Sequence, residues 1–162
     1  MARVLLVSSR HDDDDASALP MRSEWTRIRC FNISRATDLA RVKAAEVLIL
    51  DGPLSCSHEH DFEVTDCLTR FDYDDLRLLV VRWPHALDHN AFLALERPVA
   101  VFTCGRTDKN YQGFLEVLRD TSSKDLVPRA RTLALASTAC TWVQPYGYCW
   151  PRLCRRRRPG TV

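Results

Sequence analysis

A chain of 162 residues can enclose one domain with a buried core, and 46% hydrophobic with 27% charged residues is a globular balance. A net charge of +2 makes no case by itself for nucleic acid or membrane as a partner, and no stretch approaches the roughly twenty apolar residues that cross a bilayer. The charge is unevenly placed: Asp12–Asp15 is an acidic run near the start, Arg152 and Arg155–Arg158 lie near the end, and the body without that tail is slightly acidic.

Five short strand-like runs recur with helical segments between them. Val4–Val7 is continuously apolar, as a strand buried on both faces must be. Ser17–Trp25 reads as a helix capped by Ser17 and interrupted at Pro20. Ile28–Ile33 reads as the second strand and Thr37–Ala45 as a helix. Val47–Leu50 is a third strand, stopped by Asp51-Gly52-Pro53. A polar loop, 55–61, precedes Val64, Cys67, Leu68 and Phe71, whose spacing is that of one helix face. Leu76–Val81 is the fourth strand, closed by Trp83-Pro84. Asp88 caps a short helix through Glu96, Pro98–Phe102 is the fifth strand, and Asp108 caps a helix with Tyr111, Phe114, Leu115 and Leu118 on one side.

Strands alternating with helices imply right-handed crossovers and a parallel sheet between two helical layers. The expected fold is therefore a three-layer α/β domain over residues 1–120. Its sheet has five mainly parallel strands in the order 2-1-3-4-5, flavodoxin-like or P-loop-GTPase-like. Residues 121–162 read as a polar linker followed by a Cys- and Arg-rich tail, expected to be poorly ordered or only loosely docked.

In such a sheet the ligand end is the loop after the first strand. A phosphate cradle there needs glycines for backbone approach and a lysine for the outer oxygens. Between Val7 and Met21 this chain has neither, and Asp12–Asp15 repels phosphate. No GxGxxG is present, so the two nucleotide sites typical of this architecture are not expected. The acidic run together with Asp51 is similar to the metal and phosphorylation site of response-regulator receiver domains. That family expects Ser or Thr after strand four and Lys after strand five, where this chain has Arg82 and Thr103-Cys104.

Three other clusters carry chemistry-bearing residues. Cys56, His58, His60 and Cys67 are of zinc-ligand type, but their spacing fits no standard knuckle, and a solvated loop is the plainer reading. Cys104 ends a strand near Arg106, where a thiolate could be stabilised, although a small buried core residue is the plainer reading. Arg155–Arg158 beside Cys154 suits a localisation signal, a lipidated anchor or a nucleic-acid contact, and equally a solvated tail. Seven unevenly spaced cysteines and no visible leader suggest reduced thiols and a nuclear or cytoplasmic setting.

Arg97–Asp120, RPVAVFTCGRTDKNYQGFLEVLRD, resembles the end of a small-GTPase domain, with Thr103–Thr107 at its last specificity loop and Lys109-Asn110-Tyr111 opening its final helix. Val47–Gly52 is similar to the strand that ends in Asp-x-x-Gly, although Gly52 follows Asp51 directly. The Asn-Lys-x-Asp motif is missing at Arg82-Trp83-Pro84. The body thus resembles a GTPase fold without its nucleotide motifs, a pseudo-GTPase, and within that class it is most similar to the centromere protein M family. The resemblance implies a non-catalytic scaffold that binds other protein subunits in the inner kinetochore, in the nucleus. It implies no nucleotide, no cofactor, no metal and no membrane, and leaves the Arg155–Arg158 tail as the one candidate contact with nucleic acid. The alternative is a degenerate receiver-like signalling domain using Asp51.

Overall fold

The computed structural model describes residues 2–8, 24–29, 33–52, 54 and 71–145. In chain order these form β1 (Arg3–Ser8), β2 (Glu24–Arg29), α1 (Ile33–Val42), β3 (Val47–Asp51), β4 (Leu78–Trp83), a 3-10 helix (His89–Ala94), β5 (Val99–Thr103), α2 (Lys109–Arg119), a 3-10 turn (Ser123–Asp125), α3 (Leu126–Leu135) and β6 (Cys140–Val143). One mixed sheet runs in the order β2-β1-β3-β4-β5-β6. Strands β1 to β5 are parallel to their neighbours, and β6 is antiparallel to β5.

The period-two geometry of a strand divides each apolar run between the two faces of the sheet. Leu5, Val7, Leu48, Leu50, Leu79, Val81, Val99 and Val101 face one way, and Ala36, Ala40, Phe71, Phe92 and Leu95 cover them. Val4, Leu6, Val47, Ile49, Leu78, Val80, Ala100 and Phe102 face the other way, under Tyr111, Phe114, Leu115 and Leu118 of α2 and Leu126, Val127, Ala130 and Ala134 of α3. Phe102 anchors the second layer, with edge-on contacts to Tyr111 and Phe114 at 5.2 and 4.9 Å between ring centres. The expected α/β class is what forms.

Several boundaries differ from those the sequence suggests. Glu24 and Trp25 belong to β2 rather than to a helix ending at Trp25, with Val4 opposite Trp25 in the parallel register. Trp25 packs on the α2 layer, and its ring lies 4.9 Å from the Arg119 guanidinium carbon. Residues 17–23 of the expected helix, and the Val64–Leu68 part of the next, lie outside the described residues.

The larger correction concerns the carboxyl-terminal part. The expected boundary at Asp120 is not one, and the sheet has six strands where five were expected. Beyond the 3-10 turn, α3 buries Leu126, Val127, Ala130 and Ala134 against the sheet, and β6 pairs with β5 from Val99↔Val143 to Phe102↔Cys140. The reason is geometric: α3 continues beside α2 the apolar layer over this face of the sheet, and β6 takes up the free hydrogen-bonding edge of β5. Pro128, which suggests a linker, sits in the first turn of α3, where a missing N–H costs nothing. The tail 146–162 lies outside the described residues.

The end of α1 is closed by two backbone bonds, Ala45 N–H to Ala40 C=O at 3.0 Å and Ala44 N–H to Arg41 C=O at 3.1 Å. These place Ala44 in the left-handed region at φ 50°, a position that favours glycine. Ala44→Gly relieves a left-handed penalty of roughly 1–2 kcal/mol, offset by about 0.4–1 kcal/mol of extra freedom in the unfolded chain, and should therefore raise the urea midpoint at constant slope. Truncation after Asp120 removes α3 and β6, exposing the edge of β5 and the part of the core layer that α3 covers. The truncated chain should lose the single cooperative unfolding transition of the full chain in calorimetry.

Candidate functional site

The carboxyl-terminal ends of the parallel strands carry a cluster whose members all lie on the α2 face. The alternation that puts Leu6, Ile49, Val80 and Phe102 on that face puts Ser8, Asp51, Arg82 and Cys104 there as well, each two residues further along. Register aligns them across the sheet, with Ser8 opposite Asp51 and Asp51 opposite Arg82. The loop after β5 brings in Arg106, and the first turn of α2 places Tyr111 above the group. Asp108 caps that helix, its carboxylate accepting from the N–H of Asn110 at 2.8 Å and of Tyr111 at 3.4 Å. Gln112 steadies the loop by donating from Nε2 to the Arg106 carbonyl at 2.6 Å.

Asp51 and Arg82 are each 5% exposed. A charge so placed requires a partner, and each has one. Arg82 donates from Nε to Asp51 Oδ1, from Nη1 to the Cys104 carbonyl at 3.0 Å, and from Nη2 to the Gly52 carbonyl. Arg106 approaches the second oxygen of the same carboxylate, Nε to Oδ2 at 3.0 Å, and donates from Nη2 to the Ser8 hydroxyl. Both carboxylate oxygens are thus engaged, and all three nitrogens of Arg82 have acceptors. The Arg82 guanidinium also lies 5.9 Å from the centre of the Tyr111 ring.

Gly52 completes the arrangement. A Cβ there would meet the Trp83 ring at 2.4 Å, so only glycine lets the chain pass under the indole and present its carbonyl to Arg82.

The neighbouring titratable groups are held neutral. Burial first, and the Asp51 charge second, push the Tyr111 hydroxyl well above the usual phenol range. That hydroxyl is buried without a hydrogen-bond partner among the described residues. The Cys104 thiol is raised by burial and then by Asp108, with Arg82 acting in the opposite direction. Of the two readings of Cys104, this weighs against the stabilised thiolate: Arg82 is already committed to Asp51, and desolvation prevails. Cys140, on the adjoining strand, is pushed up to about 12 by burial and then by Cys104.

The other sequence candidates, Asp12–Asp15, the Cys56, His58, His60 and Cys67 set, and Arg155–Arg158, lie outside the described residues. Among the described residues no group of three or more His, Cys, Asp or Glu could hold a metal ion, and no helix is long and apolar enough to cross a membrane. Sequence reading singled out Asp51 but took Arg82 only as a departure from the receiver pattern, and missed Ser8 and Arg106 as partners. The usable signal was an arginine ending the apolar run of β4 in register with an aspartate ending that of β3. Compared with known proteins, the chain matches no family model, no curated protein and no solved structure.

Removing one member of a buried pair leaves the other charge uncompensated. Asp51→Asn should destabilise the fold by about 3–5 kcal/mol in urea unfolding followed by circular dichroism. The apolar double variant Asp51→Leu/Arg82→Met should recover part of that loss, because it removes both buried charges of the pair, although the Gly52 and Cys104 carbonyls lose their Arg82 donor. The raised Cys140 thiol should alkylate with iodoacetamide at pH 8 at least about tenfold more slowly in the native chain than in urea, since one unit of pKa is a factor of ten in thiolate. Peptide mass mapping reads this, and the native rate should rise with pH up to about 12.

Proposed function

We propose that this chain is a non-catalytic scaffold that uses an α/β framework of GTPase-like order to bind other protein subunits, with no nucleotide at the ligand end of its sheet. One observation carries this reading. At the edge where open α/β sheets receive their ligands, a buried carboxylate is held between two arginines, with strand ends and backbone carbonyls closing the space around it. Phosphate binding at this point would have to displace Asp51 from both guanidinium groups and leave it buried without compensation.

The same contacts weigh against the receiver alternative. A phospho-accepting aspartate needs a free oxygen and a metal beside it, and Asp51 has each oxygen committed to an arginine. The inner-kinetochore and nuclear assignment is a narrower form of the proposal, supported by the resemblance of Arg97–Asp120 to the last strand and helix of a pseudo-GTPase.

Isothermal titration of the full chain with GTP and GDP should give no binding heat, and micromolar affinity for either would overturn the proposal. Acetyl phosphate with magnesium should leave the mass of the Asp51 peptide unchanged. A scaffold should co-purify from nuclear extract with a fixed set of proteins at constant stoichiometry.

A further inference from the structure

The groove between α2 and α3, on the outer face of the molecule, encloses about 880 Å³. Val117, Pro128 and Leu133 give it an apolar side, and Glu116, Asp120 and Asp125 line it with carboxylates against the single cation Arg129. It lies beside the turn joining the two helices. That turn is fixed to the end of the sheet opposite Asp51, where Arg77, one residue before β4, donates from Nη1 to the Ser123 carbonyl at 2.7 Å and to its hydroxyl at 3.1 Å.

We propose that this groove is the docking site of the chain's own segment Arg152–Arg158. Three observations converge on it. The first is charge. The tail holds five arginines and no acid, and the remainder of the chain has eighteen basic against twenty-one acidic residues. An acidic groove on an acidic body thus complements a basic segment, and Leu153 within that segment matches the apolar side.

The second is direction. Because β6 runs antiparallel to β5, with Val143 opposite Val99, the chain leaves Pro145 at the end of the sheet where α2 finishes and the Ser123–Asp125 turn sits. The third is reach. Residues 146–151, which join Pro145 to the segment, span at most roughly 20 Å when extended.

Exposed ion pairs are individually weak, about 0.2–1 kcal/mol each, so several arginines arriving separately would bind poorly. A tether of six residues, 146–151, changes this, since it holds the segment at an effective concentration on the order of millimolar. That exceeds the concentration of a second copy in ordinary solution, and so favours docking within one chain over association between two.

The proposal stands independently of the scaffold reading and is tested by a different readout. In the full chain, Leu153 is replaced by the photocrosslinker p-benzoylphenylalanine, and the products of irradiation are mapped by mass spectrometry. Crosslinks should fall within the α2–α3 region, and their yield should be unchanged by dilution. The yield should drop about fivefold when Glu116→Lys and Asp125→Lys are combined, the loss expected for two or three exposed pairs. The same drop should follow from raising salt to about 0.5 M, which shortens screening without altering sequence and serves if the charge-reversed variant does not fold. Crosslinks mapping elsewhere on the body, yields that fall on dilution as they would for a second copy, or yields indifferent to both charge reversal and salt would each overturn the proposal.

Discussion

The arrangement of the sheet's ligand end depends on one carboxylate. Asp51 sits 5% exposed among apolar strands, and ionised in such a place it requires compensation from fixed positive groups. Arg82 meets that need from the neighbouring strand and Arg106 from the loop after β5. Each arginine then carries the constraint outward. Arg82 ties down the Gly52 and Cys104 carbonyls, which would otherwise be unpaired acceptors at strand ends, and Arg106 fastens the β5–α2 loop to the end of β1 through Ser8. Gly52 leaves room for the Trp83 indole on the opposite face while its carbonyl reaches Arg82, and burial together with the Asp51 charge keeps the Tyr111 hydroxyl neutral.

Much of the architecture is legible in the residues because parallel strands covered on both sides must be continuously apolar. Val4–Val7, Val47–Leu50 and Leu76–Val81 announce themselves in this way, and Asp108 with the stripe Tyr111, Phe114, Leu115 and Leu118 announces α2. The failures have equally physical causes. β2 is an edge strand, so its mixture of Trp25, Arg27 and Arg29 lacks the apolar continuity by which the central strands are recognised. α3 was concealed by Pro128, which breaks a helix in its interior but is accepted in its first turn. β6 was concealed by its brevity. Its four residues are held by pairing with β5 rather than by any pattern of their own.

At the site, sequence reading isolated Asp51 and could not complete its surroundings. Local patterns show which residues end which strands, but not which strand ends are neighbours with side chains on the same face. That knowledge requires the strand order and the register together. With both in hand, Ser8, Asp51 and Arg82 become three consecutive positions along one line across the sheet. The Cys104 thiol shows the complementary case. An arginine nearby would favour the thiolate, but its charge is already engaged and burial acts the other way.

The contacts between β3 and β4 have a wider consequence. Residues 2–52 supply β1, β2, α1 and β3, while residues 71–145 supply β4, β5, β6, α2 and α3, and within the sheet the two portions of chain meet only along the line between β3 and β4. Arg82 and Arg106 cross that line to Asp51, Gly52 and Ser8 at one end. Tyr73 crosses it to the Ala45 carbonyl at 2.6 Å near the other, where Arg77 also lies within 4.0 Å of Glu46. Neither portion can open there without stripping a partner from a buried charge. The β3–β4 line is thus a join tied at both ends, coupling the early and late portions of the chain through side chains as well as through the strand ladder.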